Sequence, residues 1–257
     1  MEVPLSLKVV EGDARRYRRA WRGSVFTSFV SPVLYLLAMG LGLGTLVDQA
    51  PGGFQGITYL EYLAPGLLAA TAMQTGAGDG SWPVMAGHKW LKTYHATLAT
   101  PVGIRSLVFG HLQWVTVRVT FVSLVFVGIM ALFGAASPLL GLVAVIPAVL
   151  TGMAIAAPVS AYAAWLTSEI GLSTLFRFVV VPMFLFSGTF FPVTQLPSWM
   201  QPVAHVTPLW HGVALCRSII LQIETPLWWG IHVSYLLAWI VAGVVLSLVF
   251  FRRRLRV

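Results

Sequence analysis

Long apolar runs alternate with short polar stretches along this chain, and most of the runs are long enough to cross a lipid bilayer. A membrane-spanning helix needs about 20 consecutive apolar residues. The pattern therefore predicts an all-α, polytopic membrane protein with six transmembrane helices. The predicted spans cover residues 24–46, 59–85, 101–133 and 138–166, a fifth begins near 173, and a sixth ends at 251.

One apolar stretch, Pro182 to Arg217, does not fit a straight helix. It carries prolines at 182, 192, 197, 202 and 208, and an interior proline removes a backbone hydrogen bond and clashes with the preceding turn. Irregular backbone at membrane depth survives where protein or a water-filled cavity satisfies its polar groups. Broken helices of this kind often lie beside a transport path, so the stretch predicts a broken, re-entrant segment in such a place.

Two amphipathic pieces lie outside the predicted spans. In residues 4–22, apolar side chains recur every three or four positions beside a basic face, which predicts an interfacial helix. A disordered basic tail is the alternative. In residues 87–102, GHKWLKTYHATLATPV, positive charge returns between two spans. This second piece predicts a short helix across the inner face, and a plain basic loop at the membrane surface is the alternative.

Composition and charge exclude the soluble classes. The chain is 58% hydrophobic and 9% charged, whereas a soluble domain is about 25% charged. The net charge of +8 comes from lysines and arginines at the ends of the predicted spans. These residues indicate topology and contacts with anionic lipids rather than nucleic-acid binding. They place both termini in the cytoplasm, and Arg217 is the one basic residue of the predicted outer segments.

Sequence motifs for catalysis or nucleotide binding are absent. No GxxxxGK[ST], HExxH or GxSxG occurs, so the sequence offers neither a P-loop for ATP nor a hydrolase centre. The lone Cys216 excludes an intramolecular disulfide. A cleaved signal peptide is the alternative for the N-terminus, but no small-residue cleavage site follows the basic cluster, so we expect a retained helix. The sequence therefore predicts a chain that is not an enzyme and binds no cofactor or metal.

At KTYHATLATPV (92–102) and FLFSGTFFPVTQLPSWMQPVAHVTPLWHGVALCR (184–217), the chain resembles the ABC-2 type permease family. Within that family it is most similar to the nodulation-protein J-like branch, which exports lipooligosaccharides and polysaccharides. The resemblance covers essentially the whole chain, and FSGxxFPxxxLPxxxQ followed by a proline–leucine pair is its most specific part. The chain departs from the family pattern at His95, where a glutamate is frequent, and at Gly110–His111, where a Gly-Glu pair is common.

The resemblance implies a single transmembrane domain over residues 1–257, in the cytoplasmic (inner) membrane of a bacterium. It implies a dimer of two permeases, with a homodimer favoured over a heterodimer, and two separate cytoplasmic ATPase subunits that use ATP and Mg²⁺. Residues 4–22 would be the connecting helix, 87–100 the coupling helix and 187–217 the re-entrant outer gate. The residues expected to contact the ATPase are His88, Lys89, Trp90, Lys92, Tyr94 and His95.

Aromatic and imidazole side chains are the candidates for the outer gate: Phe190, Phe191, Trp199, His205, Trp210 and His211. Bulky rings can close an apolar constriction by excluding water, and they can stack on sugar faces. The alternatives are an interfacial aromatic belt and, for the histidines, hydrogen-bonded core positions. Arg118 lies deep in its span, where arginine is costly. It would meet an anionic substrate group on the translocation pathway, pair with Asp79 or Glu169, or reach the membrane surface.

Together these features predict the permease subunit of an ATP-driven exporter. Its substrate would be amphipathic, such as a lipid-linked oligo- or polysaccharide or a glycolipid. Two alternatives stay open, a hydrophobic drug exporter of the same family and a proton-driven secondary transporter. A proton-driven transporter needs a buried titratable relay, for which the candidates are Asp79, Glu169, His111 and His232.

Overall fold

The computed structural model describes residues 4–49 and 56–255, and every regular element in these two ranges is helical, which confirms the predicted all-α class. The α-helices are α1 (Leu5–Tyr35), α2 (Gly44–Asp48), α3 (Tyr59–Met85), α4 (Thr93–Leu98), α5 (Ile104–Leu132), α6 (Pro138–Trp165), α7 (Ile170–Leu175), α8 (Val181–Phe186), α9 (Gln201–Val206), α10 (Pro208–Leu221) and α11 (Trp229–Leu255). There are also three π-helical segments. Leu36–Leu43 joins α1 to α2, Ala86–Trp90 extends α3, and Phe176–Val180 joins α7 to α8.

Several long helices begin and end close to their predicted bounds. The helix α3 begins at Tyr59 and ends at Met85, as predicted. The helix α5 lies inside the predicted range 101–133, and α6 ends one residue before the predicted end at 166. Local signals explain this agreement. Thr58 and Glu61 form a reciprocal capping box at the start of α3, and Pro138 occupies the first turn of α6, where its missing N–H is not needed.

Three helices of the described residues are long and apolar enough to cross a membrane, namely α5, α6 and α11. Shorter apolar helices cover Val33–Asp48, Ile170–Phe186 and Pro208–Leu221. The 27-residue α3 is not among the three, because its glycines, threonines, glutamine and aspartate make it less apolar. The fold is therefore that of a membrane protein with several apolar helices, and the count of six spans stays a prediction.

The N-terminal helix joins two elements that the sequence predicts separately. The interfacial helix predicted at 4–22 and the span predicted from 24 are one uninterrupted helix, which continues through the π-helical segment into α2. Gly23 lies at the predicted junction, but a single glycine costs a helix only about 1 kcal/mol and does not end it. No helix end separates the two elements, and the interfacial position of residues 4–22 stays a prediction.

At the centre of the bundle lies α6, against which α3, α5, α10 and α11 pack. Small residues allow the backbones to approach closely. A β-carbon on Gly76 of α3 would lie 2.2 Å from the carbonyl oxygen of Gly152 in α6, and one on Gly212 of α10 would lie 1.9 Å from Thr151 Oγ1. Contacts of this kind are typical of helices that associate in membranes, where van der Waals packing replaces the hydrophobic effect.

The proline-rich stretch is broken, as predicted. The helix α8 ends at Phe186, Gly188 has a left-handed backbone (φ 82), and a 3-10 turn and two helices follow. Pro182 lies inside the continuous helical run Ile170–Phe186, whereas Pro202 and Pro208 lie in the first turns of α9 and α10. Proline is tolerated there because the first N–H groups of a helix have no helical partner. The membrane face that the stretch occupies stays a prediction.

Candidate functional site

The inner surface predicted to couple to an ATPase is built from two helical pieces. The helix α3 runs without a break into the π-helical segment Ala86–Trp90, the chain turns at Lys92, whose backbone is left-handed (φ 51), and α4 follows. The coupling helix predicted over 87–100 is therefore two pieces joined at Lys92. Because the first piece continues α3, a force on this surface acts directly on a helix of the bundle.

Burial divides the six residues predicted to contact an ATPase. The exposed ones are Lys89, Trp90, Lys92 and His95, whereas His88 and Tyr94 are only 8% and 6% exposed. The Tyr94 ring packs beneath Gly87 and against Phe251 of α11, and burial raises its pKa. The His88 Nε2 atom lies 3.2 Å from the carbonyl oxygen of Ala163. These two side chains lie beneath the exposed ones, and their role as ATPase contacts stays a prediction.

An ion pair joins the exposed surface to the turn between α6 and α7. The Nζ atom of Lys89 lies 2.6 Å from Oε2 of Glu169. The hydrogen bond from Lys89 holds the pKa of Glu169 below its usual range. Water screens an exposed pair of this kind, so it adds little to stability. It links the α3 extension to the turn in this structure.

The side chain of Arg118 lies where three helices meet. Its Nε atom lies 3.2 Å from Oδ2 of Asp79 in α3, and its Nη1 donates a hydrogen bond to the Tyr17 hydroxyl of α1. The guanidinium also lies 4.3 Å from the centre of the Tyr17 ring. Of the alternatives left open by the sequence, the structure shows the pairing with Asp79, while Glu169 pairs with Lys89. A place for Arg118 on the translocation pathway stays a prediction.

The four candidates for a proton relay do not come together. Asp79 and His111 line one cavity of about 200 Å³, Glu169 lies beside Lys89, and His232 lies in the contact between α10 and α11. Among residues 4–49 and 56–255, no three histidine, cysteine, aspartate or glutamate side chains are grouped so that they could hold a metal ion. The arrangement therefore provides no connected chain of these four groups.

Three of the predicted gate residues, His205, Trp210 and His211, form one cluster where α9, α10 and α11 meet. The ring centres lie 4.5 Å apart for His205 and Trp210 and 4.9 Å apart for Trp210 and His211. Sequence reasoning missed two α11 residues as members of this cluster. His211 Nδ1 lies 2.9 Å from Nδ1 of His232, and the His211 ring stacks on Tyr235 at 4.1 Å. Positions 232 and 235 share one helix face, a signal that could have indicated them.

The other gate candidates lie elsewhere. Phe190 is buried and packs edge-on against Phe184, with ring centres 5.0 Å apart, and Phe191 lies at the margin of the same core. Trp199 is 72% exposed, which agrees with the alternative of an interfacial anchor. The structure therefore brings His205, Trp210 and His211 together, and Phe191 also packs against the small apolar cluster that contains Trp210. The role of these residues as a gate stays a prediction.

An apolar groove of about 640 Å³, which we call the lateral groove, opens between the helix that ends in α2 and the segment around α8. Its lining residues are Tyr35, Met39, Leu43, Val47, Tyr59, Phe184, Leu185, Phe186, Phe190, Phe191 and Gln195. It lies between the segments predicted as the first and fifth spans. Aliphatic and aromatic walls of this kind suit the acyl chain of a lipid.

A second arginine, Arg217, ties the broken stretch to the bundle, a role that sequence reasoning missed. Its Nε donates to the carbonyl oxygen of Tyr62 at 3.2 Å, and its Nη2 donates to that of Thr189 at 3.0 Å. The guanidinium lies 3.7 Å from the centre of the Tyr62 ring. The side chain thus satisfies a backbone carbonyl of the irregular segment. The sequence did carry a signal for this role, because Arg217 is an isolated arginine in an apolar segment.

Comparison with known proteins gives relatives over most of the chain. The family described as ABC-2 type transporter matches residues 10–221. The chain is 30% identical to Nodulation protein J of Rhizobium meliloti, over 94% of this chain and 92% of that protein. It is 31% identical to Nodulation protein J of Sinorhizobium fredii, again over 94% and 92%. It is 22% identical to the inner membrane transport permease YadH of Escherichia coli, over 88% of each chain.

These matches confirm the resemblance that the two sequence motifs indicated. They extend through α1, the inner surface and the broken stretch, which are the parts of the structure described above. The chain belongs to the ABC-2 type transporter family.

Proposed function

We propose that this chain is the permease subunit of an ATP-driven exporter, acting as a dimer with two cytoplasmic ATPase subunits. One observation carries the proposal: in a chain of the ABC-2 type transporter family, α3 continues into the exposed surface around Lys89 and His95. A subunit docked there would move a helix that packs against α5, α6 and α10. The lysines and the Trp90 ring suit a docking surface, because charge pairs and aromatic anchors are common at protein interfaces.

The substrate that the site supports best is an amphipathic, lipid-linked saccharide or a glycolipid. The lateral groove offers apolar walls for the lipid part. The cluster of His205, Trp210 and His211 offers ring faces and ring nitrogens that suit a sugar. The similarity to Nodulation protein J supports the saccharide-exporting branch that the resemblance indicates. A hydrophobic drug is the second candidate, because almost all of the groove lining is apolar.

In this mechanism the ATPase supplies the energy and the permease supplies the path. Closure of the ATPase dimer around ATP would push on both inner surfaces, and each push would pass through the π-helical extension into α3. The lateral grooves would then change shape, and the cluster in the broken stretch would open. The chain would lie in the bacterial inner membrane with both termini in the cytoplasm. The arginines at 252–254, at the end of an apolar helix, support that orientation.

Co-purification followed by reconstitution tests the proposal. The permease should capture one of several candidate ATPases, and the complex in lipid bilayers should hydrolyse ATP faster when a lipid-linked oligosaccharide is added. Charge reversal in Lys92→Glu should weaken capture and lower stimulated hydrolysis by about tenfold, because Lys92 lies in the docking surface. Arg105→Glu is the control, since Arg105 is exposed at the start of α5 and outside this surface.

Three results would contradict parts of the proposal. Transport that continues with no ATPase present would favour the proton-driven alternative. Equal effects of Lys92→Glu and Arg105→Glu would show that α4 and its neighbours are not where the ATPase docks. Stimulation by a hydrophobic dye and not by the lipid-linked oligosaccharide would favour the drug exporter.

A further inference from the structure

A basic notch lies beside the exposed docking surface and is built from segments far apart in the sequence. It has a volume of about 290 Å³ and opens to the surface, and its lining residues are His88, Lys89, His95, Thr167 and Arg254. The C-terminal end of α11 thereby joins the α3 extension and α4 in one surface. The end of α11 lies beyond residues 10–221, which the family match covers, so the notch is a feature of this chain's tertiary structure.

Within the notch, Arg254 is held in place but not neutralised by the part of the chain that the structure describes. Its Nη2 donates a hydrogen bond to the carbonyl oxygen of Leu166, while its Nε is buried and has no hydrogen-bond partner among those residues. No described carboxylate lies within 4.0 Å of its guanidinium. The cost of the buried Nε is internal to the fold, and the guanidinium lines the notch without a described carboxylate to balance its charge.

The three arginines at the end of α11 have different surroundings. Successive residues of an α-helix lie about 100° apart around its axis. Arg252 and Arg253 are exposed, whereas Arg254 is partly buried against the turn that follows α6. The exposed pair can serve the contact with anionic lipids that the sequence predicts. Arg254 is turned away from that role and into the notch.

The charges of the notch favour an anion of protein origin. Burial lowers the pKa of His88, and the positive charges of Arg254 and Lys89 beside it lower that pKa further. Lys89 and His95 belong both to the notch and to the exposed docking surface, so a subunit on that surface would cover the notch as well. The volume of the notch suffices for a carboxylate and several water molecules, since one water molecule takes up about 30 Å³ in the liquid.

We propose that the basic notch receives an acidic side chain of the ATPase subunit, which forms a charge-assisted pair with Arg254 and competes with Glu169 for Lys89. This inference rests on the proposed function, because it assumes that an ATPase docks on the inner surface. An arginine can bind a carboxylate through two parallel N–H···O bonds, which gives orientation as well as affinity. The pair would make the C-terminal end of α11 part of the coupling contact.

The test compares Arg254→Gln with Arg252→Gln in the full-length permease, using the ATPase that co-purifies with the wild type. Both variants remove one positive charge from neighbouring positions of the same helix. We expect Arg254→Gln to weaken ATPase binding by about tenfold at physiological salt and to make binding less sensitive to added salt. Arg252→Gln should change the binding constant by less than about twofold. Arg254→Lys should recover part of the loss, and equal melting midpoints should establish that all variants fold.

The possible outcomes separate this inference from the proposed function. If the wild type binds no ATPase at all, the proposed function fails and the notch has no partner of this kind. If the wild type binds an ATPase and Arg254→Gln binds it equally well, the notch inference is wrong while the proposed function stands. A third outcome is that Arg254→Gln leaves ATPase binding unchanged but lowers the preference of the permease for anionic phosphatidylglycerol over neutral phosphatidylcholine. In that case the notch holds a lipid phosphate, and the inference is overturned.

Discussion

At the scale of single residues, Arg118 shows how a charge is kept inside an apolar bundle. A charged side chain within a span is costly, and here Asp79 and the hydroxyl and ring of Tyr17 share its environment. Removing one partner of a buried pair leaves the other uncompensated, which typically costs about 3–5 kcal/mol. The pair therefore matters first for holding α1, α3 and α5 together.

We expect Arg118→Ala and Asp79→Ala each to lower the melting midpoint of the purified protein, and the double variant to lose less than the sum. The reason is that the double variant contains no unpaired charge. Thermal unfolding in detergent measures the midpoints, and Arg105→Ala, on an exposed position of the same helix, is the control. Additive losses would show that the two side chains do not interact. Normal transport by Arg118→Ala would end its predicted role on the pathway.

At the scale of helices, the contact between α3 and α6 depends on which glycines face the neighbour. A β-carbon on Gly76 would lie 2.2 Å from the carbonyl oxygen of Gly152, whereas one on Gly78 would meet no described atom within 4 Å. The two glycines are two positions apart and so lie on opposite sides of the helix. Gly76 permits the close approach of the two backbones, and Gly78 has no such role among the residues that the structure describes.

Gly76→Ala should therefore lower the melting midpoint strongly, because the atom that the new methyl group meets is backbone and α3 must move away from α6. Gly78→Ala should leave the midpoint unchanged or raise it, since alanine favours a helix by about 1 kcal/mol relative to glycine. Thermal unfolding of the two variants beside the wild type measures the difference. Similar midpoints for the two variants would contradict the close contact between α3 and α6.

At the scale of the whole molecule, the lateral groove is the feature that connects the fold to the proposed substrate. It separates the long N-terminal helix from the segment around α8, and its walls come from both. Phe190 and Phe191 of the broken stretch also line it, so a molecule in the groove would touch the stretch predicted as the gate. Substrate entry and gate opening would then be coupled through a shared wall.

Filling this groove should block transport without disturbing the ATPase contact. We expect Leu43→Trp, which places a large ring in the groove, to reduce substrate-stimulated ATP hydrolysis by about tenfold while basal hydrolysis and ATPase capture stay normal. Leu46→Trp is the matched control, because Leu46 is exposed a few residues further along and does not line the groove. Reconstituted complexes provide the measurement, and full stimulation of Leu43→Trp would exclude the groove as the path.

The sequence predicted the elements better than the site. The ends of α3 and α6 follow from a capping box and a proline, which are local signals, and the broken stretch follows from its proline spacing. The stretch predicted as a short helix contains α4, but its turn at Lys92 and the burial of Tyr94 were not predicted, and its role in coupling stays a prediction. The burial of Tyr94 depends on Phe251, which is far away in the sequence and near only in the folded chain.

By itself, the sequence determined that this is an all-helical protein of the ABC-2 type transporter family, because apolar length, proline spacing and motifs are properties of consecutive residues. The tertiary structure alone decided which neighbours those residues have. It paired Arg118 with Asp79 and Lys89 with Glu169. It also placed Arg254 in the lining of the basic notch. The physical reason is that burial and charge pairing depend on distances between helices, and helical periodicity specifies a face of each helix but not the helix that it meets.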